Sequence, residues 1–138
     1  MSLLLLFNQG PVYKQLLEAA KQHHGAGRQQ ECVIFAQMAA EVAAGSRLNA
    51  LILQVQPTPV QAVLERQLDY NANLARQEVR RVYDALSGET ISDQPWWSEY
   101  AANSKRRNDV AHRGMSVTSD EAARGLAAVS SLIDHLHP

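Results

Sequence analysis

The sequence predicts an all-α fold, an antiparallel bundle of about five helices, on three observations. Apolar residues recur at spacings of three and four, as a buried helical face requires. Alanine and leucine dominate and aromatic residues make up only 6%, a composition that favours helix over sheet. Breaks containing glycine or proline separate the periodic runs by short distances, so neighbouring helices reverse direction. With 138 residues, 46% of them hydrophobic, the chain reads as one domain, 1–138, large enough for a single core.

The first helix starts near Pro11, because proline suits a first helical turn. Val12, Leu16, Ala19 and Ala20 form its apolar stripe, and Gly25-Ala26-Gly27 ends it. His23 and His24 lie at that end. Adjacent histidines on a helix point in different directions, so they read as surface residues favoured by the helix dipole rather than as metal ligands. The second helix covers 28–56, with Val33, Phe35, Met38, Ala39, Val42, Leu48, Leu51, Ile52 and Val55 at helical spacing. Gly45-Ser46 marks a bend or a close packing contact within it. Glu41, among small apolar residues, is either a partly exposed or paired carboxylate, or one that faces the basic stretch described below.

Pro57-Thr58-Pro59 breaks the chain, and a third helix is expected over 60–86. Val60, Leu64, Leu68, Ala72, Ala75, Val79, Val82 and Leu86 share one of its faces. Arg76, Arg80 and Arg81 either form a solvated face or extend a basic surface. Residues 87–93 are a loop, and Pro95 opens the fourth helix. Of its adjacent Trp96 and Trp97, one is expected to pack inside and the other to cover a loop, a partner or a groove rim. Gly114 stops that helix. Thr118 and Glu121 have the spacing of a capping box and begin the last helix, with Ala122, Leu126, Val129, Ile133 and Leu136 inward. His135 and His137 are expected to be frayed surface residues.

Other classes are excluded or disfavoured. A formal net charge of −1 gives no whole-molecule field for nucleic acid, so any such attraction comes from local clustering. The single Cys32 rules out an internal disulfide framework and a Cys-based zinc site; its apolar neighbours make it a small buried hydrophobe. The opening Leu3-Leu4-Leu5-Leu6-Phe7 lacks the basic leader of a signal peptide and reads as a helix end or a packed arm. No stretch approaches the roughly 20 apolar residues of a membrane helix, so no membrane association is expected and the expected compartment is the cytoplasm. Neither a nucleotide-binding loop nor a metal cluster is visible, and no cofactor or metal is expected.

The most polar and most basic run is Lys105-Arg106-Arg107-Asn108-Asp109-Val110-Ala111-His112-Arg113-Gly114. Asn108 and His112 stand four apart on one helix face, whereas Arg107 and His112 diverge by roughly 140°. That spacing suggests a composite site, closed by a long side chain, by the helix end or by a second subunit. Histidine exchanges protons near neutral pH, and arginine stabilises the charge of a phosphoryl transition state. With asparagine to orient the imidazole or bind phosphate, the set can cleave RNA without metal. The base activates a ribose 2′-hydroxyl for attack on the adjacent phosphorus, leaving a 2′,3′-cyclic phosphate. A structural role is the competing reading. Lys105, Asp109 and Arg113 can form i,i+4 ion pairs, and His112 can stabilise the helix end.

Arg107-Asn108-Asp109-Val110-Ala111-His112 resembles the motif of the HEPN superfamily, an arginine followed by four to six residues and a histidine, commonly with a polar residue directly after the arginine. The resemblance implies a helical bundle, often dimeric, with the motif late in the chain. By it, Arg107 and His112 would be catalytic, with Asn108 supporting. Glu41 would match an acidic residue on the second helix of some members. Lys105, Arg106 and Arg113 would contact RNA phosphates. The implied activity is a metal-independent endoribonuclease acting as a toxin or defence effector, with RNA as substrate and a homodimer or an antitoxin-like protein as partner. The alternative, also represented in the superfamily, is a non-catalytic RNA-binding or protein-interaction module.

Overall fold

Alanine lets helices approach closely, and the architecture exploits this. The computed structural model describes residues 10–55 and 72–138. Among these are five α-helices and one 3-10 turn, with no strand. They are α1 (Val12–Gly25), α2 (Gln29–Ile52), α3 (Gln77–Ser87), a 3-10 turn (Ile91–Asp93), α4 (Trp97–Arg113) and α5 (Ser119–Leu136). The expectations for Leu3 to Phe7, for the Pro57-Thr58-Pro59 break, and for Val60, Leu64 and Leu68 lie outside the described residues.

Helix α2 is the centre of the bundle, and α1, α3, α4 and α5 all pack on it. Its buried seam is Ala36, Ala39, Ala40, Ala43 and Ala44, with Val33, Leu48, Leu51 and Ile52 at the ends. The helix runs unbroken through Gly45, where an added Cβ would stand 3.4 Å from that of Ala72, at the edge of ordinary contact. Helices α1 and α2 form a tight hairpin in which Gly27, at φ +78°, makes the left-handed turn. The backbone N–H of Arg28 closes it by donating to the His23 carbonyl at 2.9 Å. Helices α2 and α4 are tied together by side chains of α2, with Gln30 bonded to the carbonyls of Gly114 and Met115, just past the end of α4, and Gln37 bonded to Asn103.

Local signals behave as the sequence predicts. Gly114 follows α4 in the left-handed conformation, and the N–H groups of Gly114 and Met115 return to the carbonyls of Val110 and Asp109. Thr118 and Glu121 form a reciprocal capping box. Cys32 is fully buried, and burial pushes its thiol pKa up to about 11.

Long-range packing corrects several expectations. The α1 stripe is Tyr13, Leu17 and Ala20, while Val12 is exposed. Met38 and Val42 face outward on α2, because the alanine seam rather than the larger side chains meets the neighbouring helices. The helix expected over 60–86 is interrupted: residues 72–76 form an irregular turn, and α3 begins only after it. There the Asn73 side chain accepts from the Ala75 N–H at 3.0 Å, competing with helical hydrogen bonding. Arg80 does not extend a basic surface. It donates to the carbonyls of Leu74 and Ala75 and lies over the Trp97 ring, 5.2 Å from the centroid. Trp96 and Trp97 are both half-buried against the core, so neither divides the roles as expected.

His135 and His137 are docked rather than frayed. The His135 Nε2 lies 2.7 Å from Glu89 Oε1, which also accepts from the Tyr83 hydroxyl, and its ring meets Trp96 edge-on. His137 stacks on Tyr13 and bonds to the Ala43 carbonyl. His23 and His24, half-buried, bond to Arg28 and Gln29 at the α1–α2 turn.

Candidate functional site

Helix α4 changes character along its length. Its first half turns Tyr100, Asn103 and Ser104 into the core, and its last two turns carry Arg106, Arg107, Asn108, His112 and Arg113. In the first half, Asn73 Oδ1 accepts from the Tyr100 hydroxyl at 2.8 Å and from Gln37 Nε2 at 3.3 Å. Asn73 Nδ2 donates to Ser104 Oγ at 2.7 Å, and Asn103 Nδ2 donates to Gln37 Oε1 at 3.2 Å. Burial holds the Tyr100 phenol well above its usual range, so it remains a donor. This buried polar network fixes α4 against α2 and the 72–76 turn. The sequence reading missed it. Its one local signal was a polar residue at i+3 and i+4 from Tyr100, on a face that otherwise reads inward.

One turn further on, α2 and α4 meet again through charge. Arg107 Nη2 donates to Glu41 Oε1 at 2.8 Å, and Nη1 reaches Oε2 at 3.4 Å. The remaining Nε donates to Asn108 Oδ1 at 3.1 Å. The Arg107 and Glu41 side chains are 20% and 23% exposed, so the fork-to-fork pair is half-buried but reachable from solvent. Glu41 is partly exposed and paired, and its partner lies in the basic stretch, so the geometry meets both sequence readings of this residue.

His112 lies on the last turn of α4, exposed, and joins no hydrogen bond or ion pair among the described residues. The structure therefore joins Arg107, Asn108 and Glu41 by hydrogen bonds, with His112 outside that set, four residues after Asn108 on α4. Lys105 and Arg113 are exposed, and no ion pair joins either to Asp109 among the described residues. The i,i+4 pairs that a purely structural reading anticipates are absent there. Arg106 is engaged instead: its Nε lies 3.5 Å from Glu121 Oε2, and Nη1 donates to the Glu121 carbonyl at 3.3 Å. Lys105, Arg106, Asp109, Met115, Ser116 and Glu121, with Ala102, line a surface groove of about 230 Å³ beside this run.

Chemically, the end of α4 offers an accessible imidazole, an amide one turn away, and a guanidinium held in a fixed orientation. Among the described residues no three His, Cys, Asp or Glu side chains converge as a metal-ligand set, and no helix is long and apolar enough to cross a membrane. Comparison with protein-family models, with curated proteins and with solved structures gave no match.

Proposed function

We propose that the chain is an HEPN-like, metal-independent endoribonuclease that works as a cytoplasmic homodimer, in the manner of a toxin or defence effector. The observation that supports this reading best is the contrast at the end of α4: a solvent-facing His112 without a structural partner, next to Asn108 and an Arg107 held by Glu41. His112 would take the proton from the ribose 2′-hydroxyl. Arg107 would stabilise the charge that develops on the scissile phosphate. Lys105 and Arg113, free of ion pairs among the described residues, would attract the flanking phosphates, and Arg106 would join them on leaving Glu121. Exposed Met38 and Val42 beside Glu41 give a second copy an apolar strip to cover, which would bring two such ends together.

The test is incubation of the purified protein and its His112→Ala variant with a mixed RNA pool in EDTA, followed by analysis of the ends. Cleavage by the parent alone, leaving 2′,3′-cyclic phosphates, is the expected result. Cleavage at an equal rate by the variant removes His112 from the mechanism. A second reading, a helical module that docks RNA or an acidic protein such as an antitoxin, is favoured by the engagement of Arg106 and Arg107 in ion pairs. It predicts that neither protein cleaves and that Arg107→Ala changes association or melting temperature.

A further inference from the structure

We propose that Glu41 is a resident competitor for substrate phosphate at Arg107, so that the guanidinium is masked until a phosphodiester displaces the carboxylate. The inference rests on the ribonuclease reading and concerns the regulation of that same site. A guanidinium has five N–H donors and two edges able to grip an anion with two parallel bonds. In Arg107 the end-on edge is taken by both oxygens of Glu41, and the side edge by Asn108 Oδ1 at Nε. The two N–H groups that remain sit on different nitrogens and make no two-toothed edge. A phosphate therefore gains its best contact with Arg107 only as Glu41 or Asn108 withdraws.

Two further observations make this exchange feasible. The pair is partly open to solvent, so an incoming anion can reach it without the helices separating. The α2–α4 contact is also secured independently, one turn below, by the Gln37–Asn103 bond and the Asn73 network. Release of Glu41 leaves the two helices docked. Asn108 is exposed and held here by a single bond, so it also yields readily.

The experiment measures binding of a labelled single-stranded RNA, O-methylated at every 2′-hydroxyl to prevent cleavage, across a range of salt concentrations. It compares the wild type, Glu41→Gln, Arg107→Ala and the double variant. Glu41→Gln is expected to bind about fivefold tighter, the upper range for loss of one partly exposed ion-pair partner. Its log–log salt dependence should steepen by roughly 0.7, one additional phosphate contact. Arg107→Ala should bind more weakly than wild type, and in that background Glu41→Gln should bring no gain. Equal or weaker binding by Glu41→Gln, with Arg107→Ala still weakened, overturns the masking role and leaves the ribonuclease reading standing. Unaltered binding by Arg107→Ala overturns the masking role too, because Arg107 then makes no contact with bound phosphate; the ribonuclease reading is decided separately, by loss or persistence of cleavage of the unmethylated RNA in His112→Ala. Should Glu41→Gln fail to fold, Glu41→Asp, which withdraws the carboxylate by one methylene, must show the same sign of change.

Discussion

The two halves of α4 use polar side chains in opposite ways. In the first half, Tyr100, Asn103 and Ser104 are buried, and their hydrogen bonds reach α2 and the 72–76 turn. In the last two turns Asn108, His112 and Arg113 are exposed, and the half-buried Arg107 is the one that reaches α2. A buried polar group holds its surroundings because leaving it unpaired costs about 1–3 kcal/mol. An exposed and unpaired group contributes almost nothing to stability and is available for chemistry. On the proposed reading, one helix thus supplies both the anchor and a reactive end, which lets the anchor set where the reactive end stands.

The sharpest test of this contrast is at the reactive end. His112→Ala should lower RNA cleavage about 100- to 10,000-fold, while stability in a urea titration stays within about 0.5 kcal/mol. A large loss of stability would mean that His112 belongs to the anchor after all. The converse variant, Asn73→Ala, strips the acceptor shared by Gln37, Tyr100 and the Ala75 N–H. It should lower unfolding free energy by about 3 kcal/mol, since several buried donors lose a partner together. A change below about 0.5 kcal/mol would remove the network from its anchoring role.

A smaller effect is expected where α5 crosses the anchor. Gly125 is buried, and a Cβ there would fall on the Asn103 amide oxygen and lie 3.2 Å from the Asn103 Cβ. That oxygen is buried without a hydrogen-bond partner among the described residues, so the amide has been placed by packing as well as by Gln37. Gly125→Ala should cost about 1–3 kcal/mol through overpacking. Combined with Asn103→Ala, which removes the clash with the amide and leaves the tight 3.2 Å Cβ contact, it should cost less than the sum of the two single changes, as measured in a double-mutant cycle.

Features encoded over a few residues were legible in the sequence; those that depend on distant partners were not. The all-α class, the Gly114 stop and the Thr118–Glu121 box follow from spacing and local backbone chemistry, and they stand where expected. The α1 stripe shifted by one residue, to Tyr13, because Tyr13 packs on His137 at the other end of the chain. Met38 and Val42 matched the helical period as well as the alanines did. Only the close approach of neighbouring helices tells which face is inside. Helix propensity is no guide at the 72–76 turn either. Leu74 and Ala75 favour helix, yet Asn73 breaks it through bonds to Tyr100 and Ser104, about thirty positions away. At the site, the run from Lys105 to Arg113 was visible as a local cluster of charge. Which cations are engaged depended on Glu41 and Glu121, which the helix arrangement brings to them.

The smallest expected effect concerns the junction after α4, where Glu121 both caps α5 and holds Arg106. Bonds from the Thr118 backbone and side chain hold the Glu121 carboxyl below the ordinary value of 4.5, with Arg106 and Arg124 adding to this. Because the folded-state value is depressed, the stabilisation is fully present above the unfolded value and is lost as pH falls through the folded one. The carboxylate is exposed and screened, so the increment is small. Glu121→Gln should therefore flatten the acid limb of the stability curve slightly below pH 4.5 and leave the neutral region almost unchanged. The same variant releases Arg106 from its carboxylate partner, so RNA binding should tighten modestly at neutral pH and low salt. A flattened acid limb with no gain in binding would assign Arg106 to the anchor, together with Tyr100 and Asn103. Tighter binding would assign it to the reactive end, beside Lys105 and Arg113.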